Sequence, residues 1–418
     1  MKLHNFLRFE TVIYPLWRRR VPAAIKPLTD ALFDRVFPAY IDRHPPEQPA
    51  EVARYLVDWQ IVPDLDAAEV LRLLEVAPEP TPHRTDAAPA LYQGGGLRVP
   101  AQWEPTERVL LSWGVVYPTL WPMHAAMAEA ISAVADVEIL VPSPLWGRGV
   151  WAYLQHRGRA DLSRVKMLAL PTNDIWIRDY GPIMALSPEG QRVAINAIYD
   201  VLPQYPQQLD NSMTERWAAH HGIAVRPLDL YTEGGNLWSD GIGTLLMSSQ
   251  IFYSNRYHDR ESLLEELHSV FDFSKLIITP RLTLEETGHV DLLVKLASAD
   301  TVLVSASTSA STYQVMNKAK RQFERETNAA GQPYQVIELP TPGLYLNWIT
   351  YTIRRGYTNA LTVNGRVLVP TFGLPEDDVA LRTYEQAMPD HEIIPIDSRV
   401  GINGGGAVHC MTKEVPLA

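Results

Sequence analysis

Near the end of the chain stands the stretch Gly404-Gly405-Gly406-Ala407-Val408-His409-Cys410-Met411-Thr412, which contains the only cysteine among 418 residues. A single cysteine cannot form an intramolecular disulfide, and it leaves no second thiolate for a structural zinc site. A lone cysteine is often no more than a small buried hydrophobe. Glycine, however, lets another group approach the backbone closely, so three glycines before a thiol favour a built pocket. Cys410 is therefore a candidate nucleophile.

The composition limits the classes of protein that remain. The apolar content of 46% and the charged content of 20% are typical of a soluble globular protein. No apolar run approaches the roughly 20 residues needed to span a bilayer, and the N-terminus lacks the pattern of a signal peptide. These features, with the single thiol, predict a cytoplasmic location. The net charge of −11 disfavours nucleic acids and anionic membranes as partners, and it is compatible with a cationic substrate.

The chain divides into two unequal parts. Residues 1–92 are predicted to be a helical N-terminal extension, with helices over residues 23–37, 51–59 and 67–76 because apolar residues recur there at helical spacing. Asp64 and Asp66 are N-cap candidates for the third helix. A Pro- and Gly-rich linker follows that helix. We find no group of candidate catalytic or ligand-binding residues in this extension. We therefore expect it to cap the rest of the chain or to join protomers into a homo-oligomer.

Residues 93–418 are predicted to form a catalytic domain of the α/β class, because short apolar β-type runs alternate there with helical stretches. Helices are predicted over residues 123–134, 259–270 and 311–327. Strands are predicted over residues 109–113, 137–141, 165–170, 192–198, 244–248, 275–279, 290–296, 302–305, 335–339, 360–363, 367–369 and 392–396. No glycine-rich nucleotide fingerprint follows a strand into a helix. This pattern does not say whether the sheet is open or closed.

Four short clusters in residues 93–418 contain side chains suited to catalysis or binding. Two of them carry carboxylates near glycine. The first, Asn173-Asp174-Ile175-Trp176-Ile177-Arg178-Asp179-Tyr180-Gly181-Pro182, places a tryptophan among charges, which is typical of a pocket that holds a polar group. Asp179 beside Arg178 could equally be a surface ion pair, worth about 0–1 kcal/mol. The second cluster is Glu233-Gly234-Gly235-Asn236, followed by Asp240-Gly241-Ile242-Gly243. A hairpin with glycine turns is the interpretation favoured for the Asp240 part, and the Glu233 part is either such a turn or a site carboxylate.

The third cluster is Glu286-Thr287-Gly288-His289-Val290-Asp291. On a strand, His289 and Asp291 project from the same face. They could be a proton donor with a charge anchor, two metal ligands, or a core histidine satisfied by an aspartate. The fourth cluster contains Cys410. On an extended chain its neighbour His409 points to the opposite face, so we expect His289 to be the base that acts on Cys410.

Together these clusters resemble the agmatine deiminase and bacterial-type peptidylarginine deiminase family of guanidine-modifying enzymes. The matching stretches are residues 100–105, 176–182, 233–236, 288–291 and 404–412. The resemblance extends from about Leu97 to the end of the sequence and leaves residues 1–92 outside. It implies a five-bladed α/β-propeller, the pentein fold, in which ββαβ-type units surround a central pocket.

The resemblance also implies roles for individual residues. Cys410 is the nucleophile, His289 the acid and base, and Glu233 the group that orients His289. Asp179 and Asp291 bind the substrate guanidinium. Trp176, Arg178 and Gly405 complete the substrate contacts. No metal and no organic cofactor is implied.

These roles agree with the chemistry of the groups. A guanidinium is planar and always charged, and it pairs bidentately with a carboxylate. Its carbon is a poor electrophile, so the reaction needs a strong nucleophile such as a thiolate. An imidazole can donate a proton in one half of the reaction and accept one in the other.

The predicted function is a guanidine deiminase, a hydrolase acting on C–N bonds other than peptide bonds in linear amidines. Its substrate is predicted to be a small cationic, agmatine-like guanidine, with peptidyl arginine as the alternative. An amidinotransferase and a non-catalytic guanidinium-binding protein remain further alternatives. A metal-dependent hydrolase using His289, Asp291 and Cys410 is disfavoured, because no further ligands stand at metal-site spacing.

Overall fold

The protein is described from a computed structural model that covers residues 45–84, 87–199, 207–282, 287–308, 310–347 and 351–418. The predicted helix over residues 23–37 lies outside these ranges, and so does Glu286, the first residue of the third cluster. Helices in the described ranges are α1 Pro49–Asp58, α2 Ala67–Val76, α3 Trp121–Ser132, α4 Pro144–Arg157, α5 Ile177–Tyr180, α6 Gln208–Asn211, α7 Met213–His221, α8 Gln250–Ser254, α9 Arg260–Val270, α10 Ala310–Phe323 and α11 Pro375–Ala387. Among them, no helix combines the length and apolar character needed to cross a membrane.

Strands in the same ranges are β1 Thr81–Pro82, β2 Thr106–Ser112, β3 Asp136–Val141, β4 Val165–Ala169, β5 Ile183–Leu186, β6 Arg192–Ile198, β7 Ala224–Tyr231, β8 Trp238–Ser239, β9 Thr244–Ser248, β10 Lys275–Thr279, β11 Val294–Leu296, β12 Thr301–Ala306, β13 Gln335–Pro340, β14 Tyr345–Asn347, β15 Tyr351–Ile353, β16 Leu361–Val363, β17 Arg366–Thr371, β18 Glu392–Asp397 and β19 Lys413–Pro416. Short 3₁₀ turns occur at Pro118–Leu120, Leu162–Arg164, Gly234–Asn236, Val290–Leu292 and Gly401–Gly404.

The strands of the described ranges form five sheets of three or more strands and one two-stranded hairpin, β14–β15. Four of the five sheets follow one plan, in which an antiparallel pair is followed by a parallel third strand. These sheets are β5-β6-β7, β8-β9-β10, β11-β12-β13 and β16-β17-β18. A parallel pair needs a crossover, and α7, α9, α10 and α11 each lie between the parallel strands of their sheet. The prediction of an α/β class is confirmed.

The remaining sheet joins distant parts of the sequence. Its order is β1-β4-β3-β2-β19, and β19 runs antiparallel to β2 with Lys413 opposite Leu110. Because Cys410 stands three residues before β19, this pairing determines where the Cys410 loop lies.

The described part of the extension docks through α4 on the five-stranded sheet β1-β4-β3-β2-β19, which we call the first sheet. Val52 and Leu56 of α1 and Leu74 of α2 are buried in the same hydrophobic cluster as Trp146 of α4. Tyr55 also donates its hydroxyl to the carbonyl of Val115, at 2.8 Å. The predicted helices over residues 51–59 and 67–76 are confirmed as α1 and α2, to within two residues at each end.

The segment predicted to be a linker is also held by backbone contacts. β1 pairs parallel with β4, and the Tyr92 and Leu97 amides donate to Val225 and Val270, each at 2.9 Å. The division of the chain near residue 92 stays a prediction.

Several local predictions differ from the structure: helices α7 and α11 and strands β5 and β7 were not predicted, and two further differences have a clear physical cause. The predicted strand over residues 290–296 begins as the 3₁₀ turn Val290–Leu292, and only Val294–Leu296 is a strand. Helix α4 was not predicted, because its two glycines weaken the helical pattern. A Cβ on Gly147 would overlap Pro80, and one on Gly149 would lie 3.4 Å from Val52. The glycines of α4 therefore let the extension pack closely on this helix.

Candidate active site

The Cys410 loop is a turn, and its glycines make room for an indole ring. A Cβ on Gly404 or Gly406 would lie only 2.6 or 2.7 Å from ring atoms of Trp176, and Gly405 has a left-handed φ of 98°. Cys410 is buried, with 6% of its surface exposed. Cys410, Gly405 and Trp176 all line one cavity. The triple glycine is thus explained by close packing of Trp176 beside the thiol.

Helix α5 presents Asp179 to the cavity and turns Arg178 away from it. The Arg178 guanidinium forms an ion pair with Glu414 and donates to the carbonyl of His409 at 3.2 Å. Its backbone amide donates to the carbonyl of Cys410, at 3.1 Å. Arg178, predicted to contact the substrate, does not line the cavity beside Cys410. Its position instead holds the Cys410 loop in place.

The Glu233-Gly234-Gly235 segment follows β7 and forms a 3₁₀ turn, so the hairpin interpretation is wrong for this part of the cluster. It is confirmed for residues 240–243, which connect the antiparallel strands β8 and β9. The Gly235 amide donates to Oδ1 of Asp179, at 3.2 Å. A Cβ on Gly235 would lie 2.5 Å from Nδ1 of His289 and 2.6 Å from Oδ1 of Asp179. The backbone therefore approaches both side chains too closely for any residue other than glycine without a shift.

His289 lies between two carboxylates. Its Nε2 contacts Oε2 of Glu233, and its Nδ1 is 3.4 Å from Oδ1 of Asp179. Burial alone would lower the pKa of His289, but Asp179 and Glu233 raise it to about 10. Burial raises the pKa of Asp179, and His289 opposes that rise. The imidazole is thus held protonated at neutral pH, ready to donate a proton.

Asp291 lies behind the cavity wall, beside the thiol. It is fully buried, and its Oδ2 is 3.7 Å from Sγ of Cys410. The same oxygen accepts hydrogen bonds from His409 Nδ1 at 2.7 Å and from Asn359 Nδ2 at 3.0 Å. The predicted strand register, with His289 and Asp291 on one face, is replaced by the 3₁₀ turn at Val290–Leu292.

His409 has a different environment from the one predicted. The backbone at residues 408–410 is a turn, so the argument from an extended chain is wrong. His409 stacks on Trp238, with ring centroids 4.6 Å apart, and burial lowers its pKa well below the usual range. It is therefore neutral, and Nδ1 donates to Asp291 while Cys410 faces the cavity.

Two further groups near Cys410 were missed from the sequence. Asn359 donates to Sγ of Cys410 at 3.1 Å, and Trp238 supports the His409 ring. Trp238 lies between Asn236 and Asp240 of the second cluster, and Asn359 stands three residues after Gly356, but neither residue type by itself indicated a role beside the thiol. For His409, the signal in the sequence was its position directly before Cys410.

The thiol is neutral in the unliganded site. Burial raises the pKa of Cys410 well above its usual range, and the nearby Asp291 and Asp179 carboxylates raise it further. A bound cation would offset both carboxylates and favour the thiolate. The site is therefore built for a positively charged ligand.

The outer part of the cavity is mixed in character. Tyr199, Tyr231, Gln250 and Thr287 offer hydroxyl and amide groups, and Leu292 offers an apolar surface. These side chains can hold the remainder of a ligand whose charged end reaches Asp179.

Asp179, Glu233 and His289 have potential ligand atoms within 4.8 Å of one another, so the geometry alone would also accept a metal cation. His289 already contacts both carboxylates, however, and a metal would have to separate these contacts. The arrangement fits an acid–base histidine between two carboxylates without rearrangement.

Comparison with known proteins gives consistent results. The sequence profile of the Porphyromonas-type peptidyl-arginine deiminase family matches residues 98–416. An agmatine deiminase of Pseudomonas aeruginosa (strain UCBPP-PA14) is 26% identical over 357 residues, covering 77% of this chain and 96% of the relative. The solved agmatine deiminase of Enterococcus faecalis has a TM-score of 0.70 at 20% identity, covering 78% of this chain and 99% of that one. A C. jejuni agmatine deiminase with substrate bound has a TM-score of 0.68 at 20% identity, with coverages of 78% and 98%.

Proposed function

The chain belongs to the Porphyromonas-type peptidyl-arginine deiminase family, and on that premise we propose that it is a guanidine deiminase that hydrolyses a guanidinium C–N bond. The family is the one predicted from the sequence. The proposed substrate is agmatine or a small guanidine like it, as the names of the relatives suggest. The proposed products are a ureido compound and ammonia.

One observation carries the proposal: a buried thiol, a protonated imidazole and a carboxylate meet at one cavity, and a second carboxylate lies directly behind the thiol. Cys410, His289 and Asp179 line it, and Asp291 lies 3.7 Å behind the thiol. A guanidinium can pair with carboxylates on two sides while its carbon faces a sulfur nucleophile. Asp179 and Asp291 are the proposed partners of the cation.

In the first half of the reaction, binding of the guanidinium favours loss of the Cys410 proton to water. The thiolate then attacks the guanidinium carbon and forms a C–S bond. His289 donates its proton to the departing nitrogen, the C–N bond breaks, and ammonia leaves. A cationic S-alkylthiouronium remains on Cys410, and His289 is neutral.

In the second half, neutral His289 takes a proton from a water molecule as the water oxygen attacks the same carbon. The C–S bond breaks, and its electron pair returns to Cys410 as the thiolate. The protonated urea loses its extra proton to the solvent, where ammonia is the base. As the product leaves, the thiolate regains a proton from the solvent, so each turnover restores the neutral thiol and the imidazolium.

We also propose that the five sheets form the closed five-bladed propeller of the pentein fold. The repeated sheet plan and the pairing of β19 with β2 support this arrangement. A reducing cytoplasm is the proposed location, because it preserves the single thiol.

The test is a colour assay for ureido groups with agmatine, free arginine and an arginine peptide as substrates. Product from agmatine, unchanged by a chelator, supports the proposal. Product from the peptide alone would replace it with a peptidylarginine deiminase. Conversion of the substrate to its parent amine without ureido product, seen only with an added amine acceptor, would replace it with an amidinotransferase. Binding without product from any substrate would leave only a guanidinium-binding protein.

A further inference from the structure

We propose that a second cavity, behind the wall of the active site, binds a small carboxylate through the ammonium group of Lys413. Arg178, Gly234 and Lys413 line this second cavity, which we call the rear cavity. As far as the described ranges line them, the rear cavity and the cavity beside Cys410 have no residue in common. Binding in the rear cavity is therefore separate from the proposed reaction and does not depend on it.

The turn at Gly234-Gly235 separates the two cavities. A Cβ on Gly235 would meet His289 and Asp179, whereas a Cβ on Gly234 would lie 2.5 Å from Nζ of Lys413. Successive residues of this turn thus face opposite sides. The Lys413 ammonium lies behind the backbone that supports the acid–base group of the active site, and it borders the rear cavity.

Lys413 is a buried cation: it has 4% of its surface exposed, and its ammonium makes no hydrogen bond or ion pair with any residue of the described ranges. Glu414, which lines the rear cavity, accepts from Arg178 at 3.0 Å. Glu104, the other carboxylate of this lining, accepts from Arg98 at 2.7 Å. A buried charge is costly unless it is paired. The rear cavity therefore lacks one negative charge.

The charge of Lys413 responds to what is bound beside it. The charged groups and the imidazole that face it are Arg178 and Asp179 of α5, Glu414 of its own strand, Glu104 of the loop before β2, and His409. Burial, with Arg178, lowers the pKa of Lys413 to about 7 against the opposing effect of Glu414 and Asp179. Ammonium and amine are therefore both populated at neutral pH. A carboxylate beside Lys413 would favour the ammonium, so binding and protonation are coupled.

The size and the lining of the rear cavity favour a small organic anion. Its volume is about 40 Å³, on a scale on which one water molecule needs about 10–15 Å³. Roughly three or four groups of that size fit, which is the size of acetate. Ile183, Met184, Leu237 and Pro416 make much of the lining apolar. A short carbon chain can lie on them while the carboxylate pairs with Lys413, whereas sulfate and phosphate have no apolar part.

The first test is isothermal titration of the full chain with acetate at pH 6 and pH 8, in chloride-free buffers that differ in ionisation enthalpy. A ligand of four heavy atoms binds no tighter than roughly 0.05 mM, so the titration extends to tens of millimolar. Because the amine must gain a proton to bind, we expect an uptake of about 0.9 proton per acetate at pH 8 and about 0.1 at pH 6. The apparent Kd should be about tenfold weaker at pH 8 than at pH 6.

The second test locates the site by thermal unfolding in about 50 mM sodium acetate or the same concentration of sodium chloride. Lys413→Met removes the ammonium, and Lys295→Met is the matched control. Lys295 is also fully buried, and burial lowers its pKa to about 7, but its ammonium donates two hydrogen bonds and does not line the rear cavity. Lys275→Met, at a lysine paired with Glu326, is the control if Lys295→Met does not fold.

We expect acetate to raise the Tm of the wild type and of Lys295→Met by at least about 1 °C relative to chloride, and to leave the Tm of Lys413→Met unchanged. Without acetate, Lys413→Met should unfold no earlier than the wild type. An apolar side chain there replaces an unpaired buried ammonium, so no ion pair is lost.

The proposal is overturned if acetate neither binds to nor stabilises the wild type, or if it stabilises Lys413→Met to the same extent. It is also overturned if chloride stabilises the wild type as much as acetate does, or if proton uptake is equal at the two pH values. If Lys413→Met does not fold, the proton uptake of the wild type decides alone. Ureido formation enters none of these measurements, so a failure of the proposed function would leave their outcome intact.

Discussion

Replacement of Gly235 by alanine tests the geometry of the acid–base group most directly. The backbone of Gly235 is not in a left-handed conformation, so alanine adds no backbone strain there. The added methyl group would nevertheless meet Nδ1 of His289 at 2.5 Å and Oδ1 of Asp179 at 2.6 Å. Both atoms belong to the proposed reaction machinery, and their side chains are only 2% exposed for His289 and 9% exposed for Asp179.

The size of the effect follows from these distances. Ordinary van der Waals contact begins at 3.4 Å, so His289 Nδ1 must separate from the methyl group by a further 3.4 − 2.5 = 0.9 Å. A misplacement of about 1 Å in a catalytic group costs about 10²-fold in rate. We therefore expect kcat/KM of Gly235→Ala to fall about 10²-fold, which corresponds to about 2.7 kcal/mol of transition-state stabilisation.

The assay is initial-rate ureido formation from agmatine, with thermal unfolding measured on the same samples. Gly343→Ala is the matched control, because Gly343 is not left-handed and a Cβ there would meet nothing within 4 Å. A folded Gly235→Ala protein with kcat/KM within about threefold of Gly343→Ala would refute the placement of His289 and Asp179.

Three further predictions concern the nucleophile, the histidine and the extension. Cys410→Ser should lose turnover by several orders of magnitude and keep substrate binding, because an alcohol ionises far less readily than a thiol; isothermal titration and the ureido assay check this. Glu233→Gln removes a carboxylate that raises the pKa of His289, so the protonated acid is lost at lower pH, and the alkaline limb of the pH–rate profile should move down. An unchanged alkaline limb would exclude His289 as the acid. Leu56→Ala should destabilise the protein by about 2–5 kcal/mol in denaturant unfolding, because Leu56 is buried against the first sheet, and kcat/KM of the folded protein should stay within a few-fold. An undiminished free energy of unfolding would show that the extension is not part of the folded core.

The class of fold and most element positions could be predicted because apolar periodicity is local information. Helices α1, α2 and α9 and strands such as β6, β9 and β10 lie where the pattern predicts them. The turn at Val290–Leu292 could not be predicted, because its apolar residues also fit a strand. Helix α4 could not be predicted for a related reason. Its two glycines weaken the helical pattern, and they are explained by close packing against the extension.

The chemical site shows the same limit at the level of single residues. Cys410, His289, Glu233 and Asp179 stand in recognisable clusters, and the structure brings these four to one cavity. Arg178 stands in a cluster too, yet its ion pair with Glu414 directs it elsewhere. Position along the sequence cannot reveal which way adjacent side chains of a short helical turn will point.

The pairing of β19 with β2 has a consequence for how the protein is made. The first sheet gains its edge strand only after residues 413–416 have been translated, about 300 residues after β2. Contacts between such distant segments are costly in loop entropy and slow to form. Until β19 has been made, the β2 edge of the nascent chain is therefore unpaired, and other chains can pair with it. The loop that carries Cys410 precedes β19 directly, so we expect the reactive thiol to become buried in the same late step that closes this edge.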